Sequence, residues 1–256
     1  MAPKNLYFAG TAGCGKSTLT GTFQQWMRNE GFDAITVNLD PGVDTLPYEP
    51  DVDIRDWIRL SEVMAEYGLG PNGAQILAAD MLALNAKEVV DVIDTFNTDY
   101  VLIDTPGQLE LFAFRQSSRV ILDAMDRESS VLAFLFDPVV AKNPNGFVTT
   151  FLLSATVQFR LTVPMVTMIA KSDLLSESER QLIERWSMDK FSLWSDLCDE
   201  AAKDPQTQIN LEFLQALETV GVVGGVGFTS SETFEGIADI YAIVQQLIEG
   251  GEDLER

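Results

Sequence analysis

The feature that most constrains this chain is the stretch GTAGCGKST at residues 10–18. It matches the pattern G-x-x-x-x-G-K-[ST] at Gly10, Gly15, Lys16 and Ser17, and it lies between an apolar run, NLYFAG, and a helical pattern. Such a loop directs its backbone N–H groups at phosphate oxygens, and the helix that follows adds the positive end of its dipole. A glycine-rich turn that matches by chance is the alternative, and the strand–loop–helix context argues against it.

The loop assigns a role to each of its residues. Lys16 is expected to reach the β- and γ-phosphates of a nucleotide, and the Ser17 hydroxyl is expected to ligate Mg²⁺. The backbone N–H groups expected to bind phosphate belong to Gly13, Cys14, Gly15, Lys16, Ser17 and Thr18. The sequence therefore predicts a Mg²⁺-nucleotide site at the end of the first strand.

Short β-rich runs alternate with helical patterns along the 256 residues. Strands are predicted at 5–10, 34–39, 100–105, 130–137, 164–170 and 221–228. Helices are predicted at 16–29, 53–67, 73–96, 115–126, 146–161, 176–203 with a break, 208–219 and 233–249. Several strands are apolar on successive residues, as parallel strands covered on both faces are. The pattern predicts an α/β fold of the P-loop NTPase type, a doubly wound and mostly parallel sheet with helices on both faces.

Length and composition predict the setting of that fold. We expect a single domain over 1–256 with helical inserts at about 40–98 and 176–219. Its apolar runs are too short to span a bilayer, and the N-terminus does not resemble a signal peptide, so we expect a soluble, cytoplasmic protein. Two cysteines, Cys14 and Cys198, are too few for a disulfide framework or a zinc site.

The charge of the chain excludes several classes of function. The net charge is −22, with 39 acidic and 17 basic residues and no histidine. A field of that sign repels nucleic acid and anionic membranes, so we expect neither as a direct partner. Without histidine the chain has no imidazole for acid–base catalysis or metal binding. The acidic surface is interpreted either as a solvated face or as a docking face for a basic protein partner.

A second motif, YVLIDTPGQLELF at 100–112, begins with the third predicted strand. Asp104 ends an apolar strand, where a carboxylate holds Mg²⁺ directly or through water. Gly107 N–H is expected to bond the γ-phosphate, and the Gln108 amide to orient the attacking water. Gln108 could instead be a loop residue facing solvent. Glu110 is left open between support of the site and a favourable charge at a helix N-terminus.

Asp40 follows the second predicted strand directly. It is therefore expected at the carboxyl-end edge of the sheet, where nucleotides bind in this fold class. A carboxylate there could hold a Mg²⁺-bound water or position the nucleophile. A simple Asp-Pro turn is the alternative interpretation.

The base is expected to bind at AKSD, residues 170–173, after the strand at 164–170. Asp173 can accept from guanine N1–H and the 2-amino group, but adenine would leave this carboxylate unpaired. The stem of Lys171 can lie over the base, and backbone N–H groups of Ser230 and Ser231 can approach guanine O6. Ala170 stands where an Asn usually ties this loop to the phosphate loop, so we expect weakened affinity rather than a changed base preference.

These motifs together resemble the GPN-loop GTPases, a dimeric family of P-loop GTPases related to the signal-recognition and Min class. The resemblance covers essentially the whole chain, is of the archaeal type, and rests on GTAGCGKST, NLDPG, GPNGA, DTPGQLELF and AKSD in order. It implies a homodimer in which the loop Gly70, Pro71, Asn72 reaches the partner's nucleotide, so that Asn72 contacts phosphate in trans. The patterns at 53–67 and 73–96 are expected to hold that loop between them. A plain turn is the alternative.

The leading functional hypothesis is a Mg²⁺-dependent, homodimeric GTPase that hydrolyses GTP to GDP and phosphate as a conformational switch. Its catalytic groups would be Asp40, Gln108, Asn72 and Lys16, with Ser17 and Asp104 as metal ligands. The resemblance also implies a role in assembling a larger protein complex. A Min/Par-type ATPase and a non-catalytic GTP-binding scaffold are the rivals.

Overall fold

The computed structural model describes residues 3–201, 205–219, 221 and 224–249. Within them the strands form one sheet in the order β3-β2-β4-β1-β5-β6-β7, and every adjacent pair is parallel. The strands are β1 Lys4–Gly10, β2 Ala34–Asn38, β3 Val52–Asp53, β4 Tyr100–Asp104, β5 Ser130–Phe136, β6 Met165–Ile169 and β7 Gly227–Phe228. The predicted α/β fold class is confirmed.

Helices connect the strands as a doubly wound sheet requires. They are α1 Lys16–Asn29, α2 Leu60–Tyr67, α3 Pro71–Ile93, α4 Leu109–Ala113, α5 Gln116–Ala124, α6 Pro138–Ala141, α7 Pro144–Leu161, α8 Glu177–Met188, α9 Lys190–Ala201, α10 Pro205–Thr219 and α11 Ile237–Glu249. Short 3₁₀ turns lie at Ile54–Asp56 and Ser172–Leu174. None of the helices in the described ranges is long and apolar enough to cross a membrane.

The central strands explain why the fold forms around them. In β1, Leu6 and Phe8 face a core shared with α1 and α11, whereas Tyr7 and Ala9 face the larger core on the other side of the sheet. Successive residues therefore point into two different cores, because side chains alternate across a strand. The continuous apolar runs of β1, β4 and β5 satisfy both cores at once, and their carboxyl ends meet at the edge that carries the motifs.

The structure differs from the predicted helix at 53–67. Residues 52–53 form β3, which pairs with β2 from Val37↔Val52 to Asn38↔Asp53. The Asp53 carboxylate then accepts from the Arg55 N–H and starts a 3₁₀ turn, and α2 begins only at Leu60. A strand of two residues leaves too short a pattern to distinguish from a helix.

The last predicted strand and helix are shorter than expected. The strand at 221–228 is reduced to Gly227–Phe228, and positions 222–223 lie outside the described residues. Gly224 and Gly225 precede it without strand structure, since glycine supplies no side chain for a sheet to pack. The helix predicted from 233 begins at Ile237, because Phe234 and Gly236 have φ of +61° and +71°.

The remaining helix predictions hold with shifted ends. The expected break in 176–203 lies at Asp189, between α8 and α9, and positions 202–203 lie outside the described residues. The helix predicted at 73–96 is α3, which begins two residues earlier and includes Pro71 and Asn72. The predicted helix pattern did not include α4, which follows the DTPG turn, or α6.

Candidate nucleotide site

Three residues of the phosphate loop have the positive φ values that favour glycine. Gly10, Gly13 and Gly15 have φ of +152°, +77° and +104°. A Cβ atom on Gly10 would lie 2.6 Å from the Leu135 carbonyl oxygen of the neighbouring strand, so the loop leaves the sheet in close contact with β5. Gly15 precedes α1, and none of the described side chains caps that helix. The first turn of α1 therefore presents its N–H groups and dipole to the loop.

Lys16 is already directed into this loop. Its side chain is buried, and its Nζ donates to the carbonyl oxygens of Gly10 at 3.1 Å and Thr11 at 3.0 Å, and more weakly to Gly107 at 3.5 Å. The ammonium thus lies between the phosphate loop and the DTPG turn. Burial raises the pKa of the Cys14 thiol, and the nearby Lys16 charge only partly offsets this. The Cys14 side chain is accordingly part of the core beneath the loop.

Asp104 ends β4 beneath the phosphate loop and is 1% exposed. Its Oδ2 accepts from the Tyr48 hydroxyl at 3.2 Å. Its Oδ1 has no hydrogen-bond partner within the part of the chain that the structure describes. Burial raises the pKa of Asp104 to about 6, against the lowering effects of Ser17, Lys16 and Tyr48. Such a buried, underpartnered carboxylate oxygen is costly unless a cation or donor meets it.

These residues fit Mg²⁺. The Ser17 hydroxyl lies close enough to the Asp104 carboxylate to lower its pKa. Oxygen ligands of this kind suit Mg²⁺, which proteins hold with one or two carboxylates while substrate phosphates and water complete the shell. No cluster of three or more His, Cys, Asp or Glu side chains forms a metal cage in the described ranges. The fit therefore requires phosphate oxygens as additional ligands.

Asp40 joins the loop after β2 to the DTPG turn. Its Oδ2 accepts from the Gly107 N–H at 2.7 Å, and its Oδ1 accepts from the Gly42 N–H at 2.9 Å. The Asn38 side chain fixes the Asp40 backbone by accepting from its N–H at 3.0 Å and donating to its carbonyl at 3.2 Å. Asp40 is thus more than a turn residue. The Gly107 N–H, expected to meet a γ-phosphate, is bonded to a carboxylate instead.

Gln108 and Glu110 lie on the outer side of this turn. Gln108 is exposed, and its Nε2 donates at 3.0 Å to the side-chain oxygen of Gln75 on α3. Glu110 is exposed in the first turn of α4. Both line a cleft of about 830 Å³ whose wall also includes the phosphate-loop residues Thr11 and Ala12. The Gln108 amide therefore faces the open side of the site and not Asp40.

The triplet Gly70, Pro71, Asn72 is not a loop suspended between two helices, as expected, but the start of α3. Gly70 is the N-cap and Pro71 the first helical residue, where a missing N–H costs nothing. The turn after α2 is made by Gly68, with φ of +62°. Asn72 is exposed and lines the same cleft as Thr11. Its position is thus set by the end of a 23-residue helix.

The residues expected to bind the base meet around a second cavity of about 300 Å³. Its wall includes Cys14, Gly15, Thr18, Ala170, Lys171, Asp173, Thr229 and Ser231. Lys171 Nζ donates to the Gly13 carbonyl oxygen at 2.5 Å, and a Cβ on Gly15 would lie 3.5 Å from Lys171 Cε. Ala170 is buried in the core. Ala170 has no side-chain amide to bond the phosphate loop, and the neighbouring Lys171 makes a hydrogen bond to that loop instead.

The loop after β7 supports Asp173. Ser230 is buried, and its hydroxyl donates to Asp173 Oδ1. Its N–H, which we expected to approach guanine O6, donates to the Glu235 carbonyl oxygen at 3.1 Å. Of the two serines it is Ser231 that lines the cavity. Ser230 thus holds the loop and orients Asp173.

Two contributors were absent from the sequence-based site, Tyr48 and Glu235. Tyr48 lies in the irregular stretch between β2 and β3, where hydrophobic periodicity gives no signal. The Glu235 carboxylate accepts from the Ser172 hydroxyl at 2.5 Å and pairs with Arg180 of α8 at 2.5 Å. The contacts of Tyr48 and of Glu235 join segments far apart in the chain, so local patterns could not reveal them.

Comparison with known proteins agrees with this geometry. A family model described as "Conserved hypothetical ATP binding protein" matches residues 8–250. The chain is 32% identical over 245 residues to the GPN-loop GTPase PAB0955 of Pyrococcus abyssi, covering 94% of this chain and 96% of that protein. It is 30% identical over 247 residues to GPN-loop GTPase 1 of Dictyostelium discoideum, covering 92% of this chain but only 61% of that protein.

The fold agrees as well. The crystal structure of PAB0955 from Pyrococcus abyssi, a GTPase in apo form, is 31% identical in sequence and superposes with a TM-score of 0.84. The match covers 96% of this chain and 98% of the PAB0955 chain. The resemblance inferred from the motifs is thereby confirmed. This chain belongs to the GPN-loop GTPase family.

Proposed function

We propose that this protein is a Mg²⁺-dependent, homodimeric GTPase that hydrolyses GTP to GDP and phosphate and changes conformation as it does so. The observation that carries the proposal is the meeting of three motifs at one edge of the sheet. The phosphate loop, Asp104 and the base cavity around Asp173 converge there. Membership in the GPN-loop GTPase family supports the same activity.

The phosphate end of the site supports charge stabilisation. Lys16 would exchange the carbonyl oxygens of Gly10 and Thr11 for β- and γ-phosphate oxygens, which are stronger, charge-assisted acceptors. Mg²⁺, held by Ser17 and Asp104, would neutralise phosphate charge when bound. Since phosphoryl transfer gains mostly from positioning and electrostatics, these groups account for a large part of the expected catalysis.

The switch would operate at the Gly107 N–H. A γ-phosphate oxygen that accepts this N–H must displace Asp40 Oδ2, which holds it at 2.7 Å. The released Asp40 carboxylate then becomes able to hold a water molecule near the phosphate. Loss of the γ-phosphate restores the Asp40 contact. The two states differ in one charge-assisted hydrogen bond, which is enough to shift a loop equilibrium.

Gln108 would need a small rearrangement to orient water. Its amide is bonded to Gln75 of α3, so its release couples the DTPG turn to the helix that begins with the GPN triplet. Because the contact is exposed, breaking it costs little. Hydrolysis would therefore involve α3 as well as the phosphate loop.

The GPN triplet supports a site completed by a second copy of the chain. Asn72 is exposed at the helix start, and the open cleft beside it reaches the phosphate loop. A neutral amide can donate to a phosphate oxygen without the desolvation cost of a lysine. Large apolar side chains are exposed along α3, including Ile76 and Leu84. An interface between two copies would cover such side chains.

GTP is the proposed nucleotide, although the family model is described as ATP-binding. Asp173 is held by Ser230 at the rim of the base cavity, where it can accept from the two donors of guanine. The test is competition of GTP and ATP against a fluorescent GDP analogue. We expect GTP to compete at least tenfold better, and Asp173→Asn to remove about one to two kcal/mol of that preference.

A matched control is Asp199→Asn, which changes an exposed carboxylate on α9. It should leave both competition curves unchanged. Equal affinity of the wild-type chain for ATP and GTP would instead favour a Min/Par-type ATPase. GTP binding without turnover would favour the non-catalytic scaffold.

The proposal has three further parts. They are a role in assembling a larger complex with a protein partner, a cytoplasmic location, and the absence of direct nucleic-acid or membrane contacts.

A further inference from the structure

Tyr48 is the tyrosine that reaches the metal end of this site. Its half-buried side chain comes from the irregular stretch between β2 and β3, and its hydroxyl donates to Asp104 Oδ2 at 3.2 Å. The side chain lies against α1, because a Cβ atom on Gly21 would lie only 2.9 Å from Tyr48 Cβ and 3.5 Å from the ring atoms Cγ and Cδ1. Gly21 is four residues after Ser17, so the two share one face of the helix. Tyr48 thus lies along the helix face that carries the expected Mg²⁺ ligand.

The segment that carries Tyr48 is anchored on both sides. After it, Asp51 Oδ2 accepts from the Thr36 N–H at 2.7 Å and from the Gln24 amide at 2.9 Å. Before it, the Arg55 guanidinium donates to the carbonyl oxygens of Val43 and Asp44, both at 3.2 Å. The Asp51 bonds join the segment to β2 and α1, and the Arg55 bonds join it to the 3₁₀ turn at Ile54–Asp56. The position of the tyrosine is therefore set by the fold rather than by a mobile loop.

The hydroxyl makes the two oxygens of Asp104 unequal. A phenol is neutral at physiological pH, so the Tyr48 hydroxyl is a hydrogen-bond donor to the Asp104 carboxylate. It occupies Oδ2, whereas Oδ1 has no partner within the described residues. A carboxylate held by one oxygen has the other in a fixed direction, and ligands oriented by such outer contacts bind metals more tightly.

We propose that Tyr48 is a positioning residue that holds Asp104 so that its second oxygen can serve Mg²⁺ or a Mg²⁺-bound water. The inference rests on the proposed function, since it concerns the same metal site. It adds to that site a residue outside the phosphate-loop and DTPG motifs. Its role is to set the Mg²⁺ requirement of nucleotide binding rather than the affinity for the nucleotide itself.

The test compares Tyr48→Phe with wild type and with Tyr67→Phe, an exposed tyrosine on α2. MgCl₂ is titrated at saturating GDP, with thermal stabilisation and binding of a fluorescent GDP analogue as readouts. We expect Tyr48→Phe to raise the half-maximal Mg²⁺ concentration about three- to tenfold, the worth of one hydrogen bond. GDP binding in EDTA should stay within about twofold of wild type. Tyr67→Phe should match wild type in both.

A second variant protects the test against a failure of Tyr48→Phe to fold. Gly21→Ala keeps the tyrosine but places a methyl group against it, so it should shift the Mg²⁺ requirement in the same direction. An unchanged or lowered Mg²⁺ requirement in both variants would overturn the inference. A loss of GDP binding in EDTA as large as the loss with Mg²⁺ would also overturn it, because it would indicate a structural role. If nucleotide binding by the wild-type protein did not depend on the Mg²⁺ concentration, the proposed function would be overturned instead.

Discussion

The two sides of the candidate site are built to different degrees. On the phosphate side, Lys16 and Asp104 are buried and already directed between the loops that would enclose the nucleotide. On the hydrolysis side, Gln108 and Asn72 are exposed along an open cleft, and within the described residues their side chains make no hydrogen bond with Asp40. One chain thus contains a preorganised phosphate and base site, and under the proposed function its hydrolysis groups would be completed by nucleotide and a second copy.

The difference has a physical basis. Most buried polar groups are satisfied within the fold, so packing specifies their partners. Exposed amides have water as an alternative partner and need no fixed contact. A site that is preorganised on one side and adaptable on the other can bind nucleotide in a single chain and delay hydrolysis until assembly.

The largest expected effect concerns Asp104→Asn, which removes the buried charge while keeping the shape. Burial raises the pKa of Asp104 to about 6, well above its usual range, so Asp104 binds a proton more readily in the folded state than in the unfolded state. Ionisation of Asp104 as the pH rises therefore lowers the free energy of unfolding. The loss is on the order of 3 kcal/mol once the pH is well above 6. We expect the variant to increase the unfolding free energy at pH 8 by about that amount, and Mg²⁺-dependent nucleotide binding to be lost.

Urea denaturation of nucleotide-free protein at several pH values measures the effect. The gain of Asp104→Asn over wild type should shrink as pH falls towards 4, because both side chains are then neutral. Asp123→Asn, at an exposed position of α5, is the matched control and should show no such gain. A variant less stable than wild type at pH 8 would contradict the buried, underpartnered state of Asp104.

A smaller effect should follow from Asp40→Asn, which tests the open side of the comparison. The amide has one oxygen to accept from the Gly107 and Gly42 N–H groups, so nucleotide-free protein should lose about 1 kcal/mol of stability. With a non-hydrolysable GTP analogue the loss should be smaller, since the γ-phosphate takes over the Gly107 N–H. Thermal stabilisation by the analogue should therefore exceed that of wild type. Equal stabilisation would argue against competition between Asp40 and the γ-phosphate.

The sequence predicted the preorganised side well. The phosphate loop and the strand ending in Asp104 follow from apolar runs and glycine spacing, which are local signals that the fold preserves. Lys171 and Asp173 were placed correctly after β6 for the same reason. The tie from Lys171 to Gly13 was missed, because a flexible lysine leaves no pattern of its contacts.

The adaptable side was predicted less well, for physical reasons. The two residues of β3 are too few for a period to show, and Tyr48 acts through a contact 56 positions away in the chain. The GPN triplet was read as a loop because glycine and proline are typical of turns, yet proline is equally suited to the first turn of a helix. Where a contact is long-range or a residue suits two structures, only the folded chain decides.

The central claim, that Asn72 of one copy completes the site of another, is tested most directly by complementation. Asn72→Ala should lower GTP turnover about tenfold, the worth of one donor in the transition state, while GTP affinity stays within a few fold. Asn85→Ala on the same helix is the matched control. Heterodimers of Asn72→Ala with binding-deficient Lys16→Ala, verified by light scattering, should recover about one working site per dimer. Heterodimers that remain as slow as Asn72→Ala alone would contradict the account and return Asn72 to a role within its own chain.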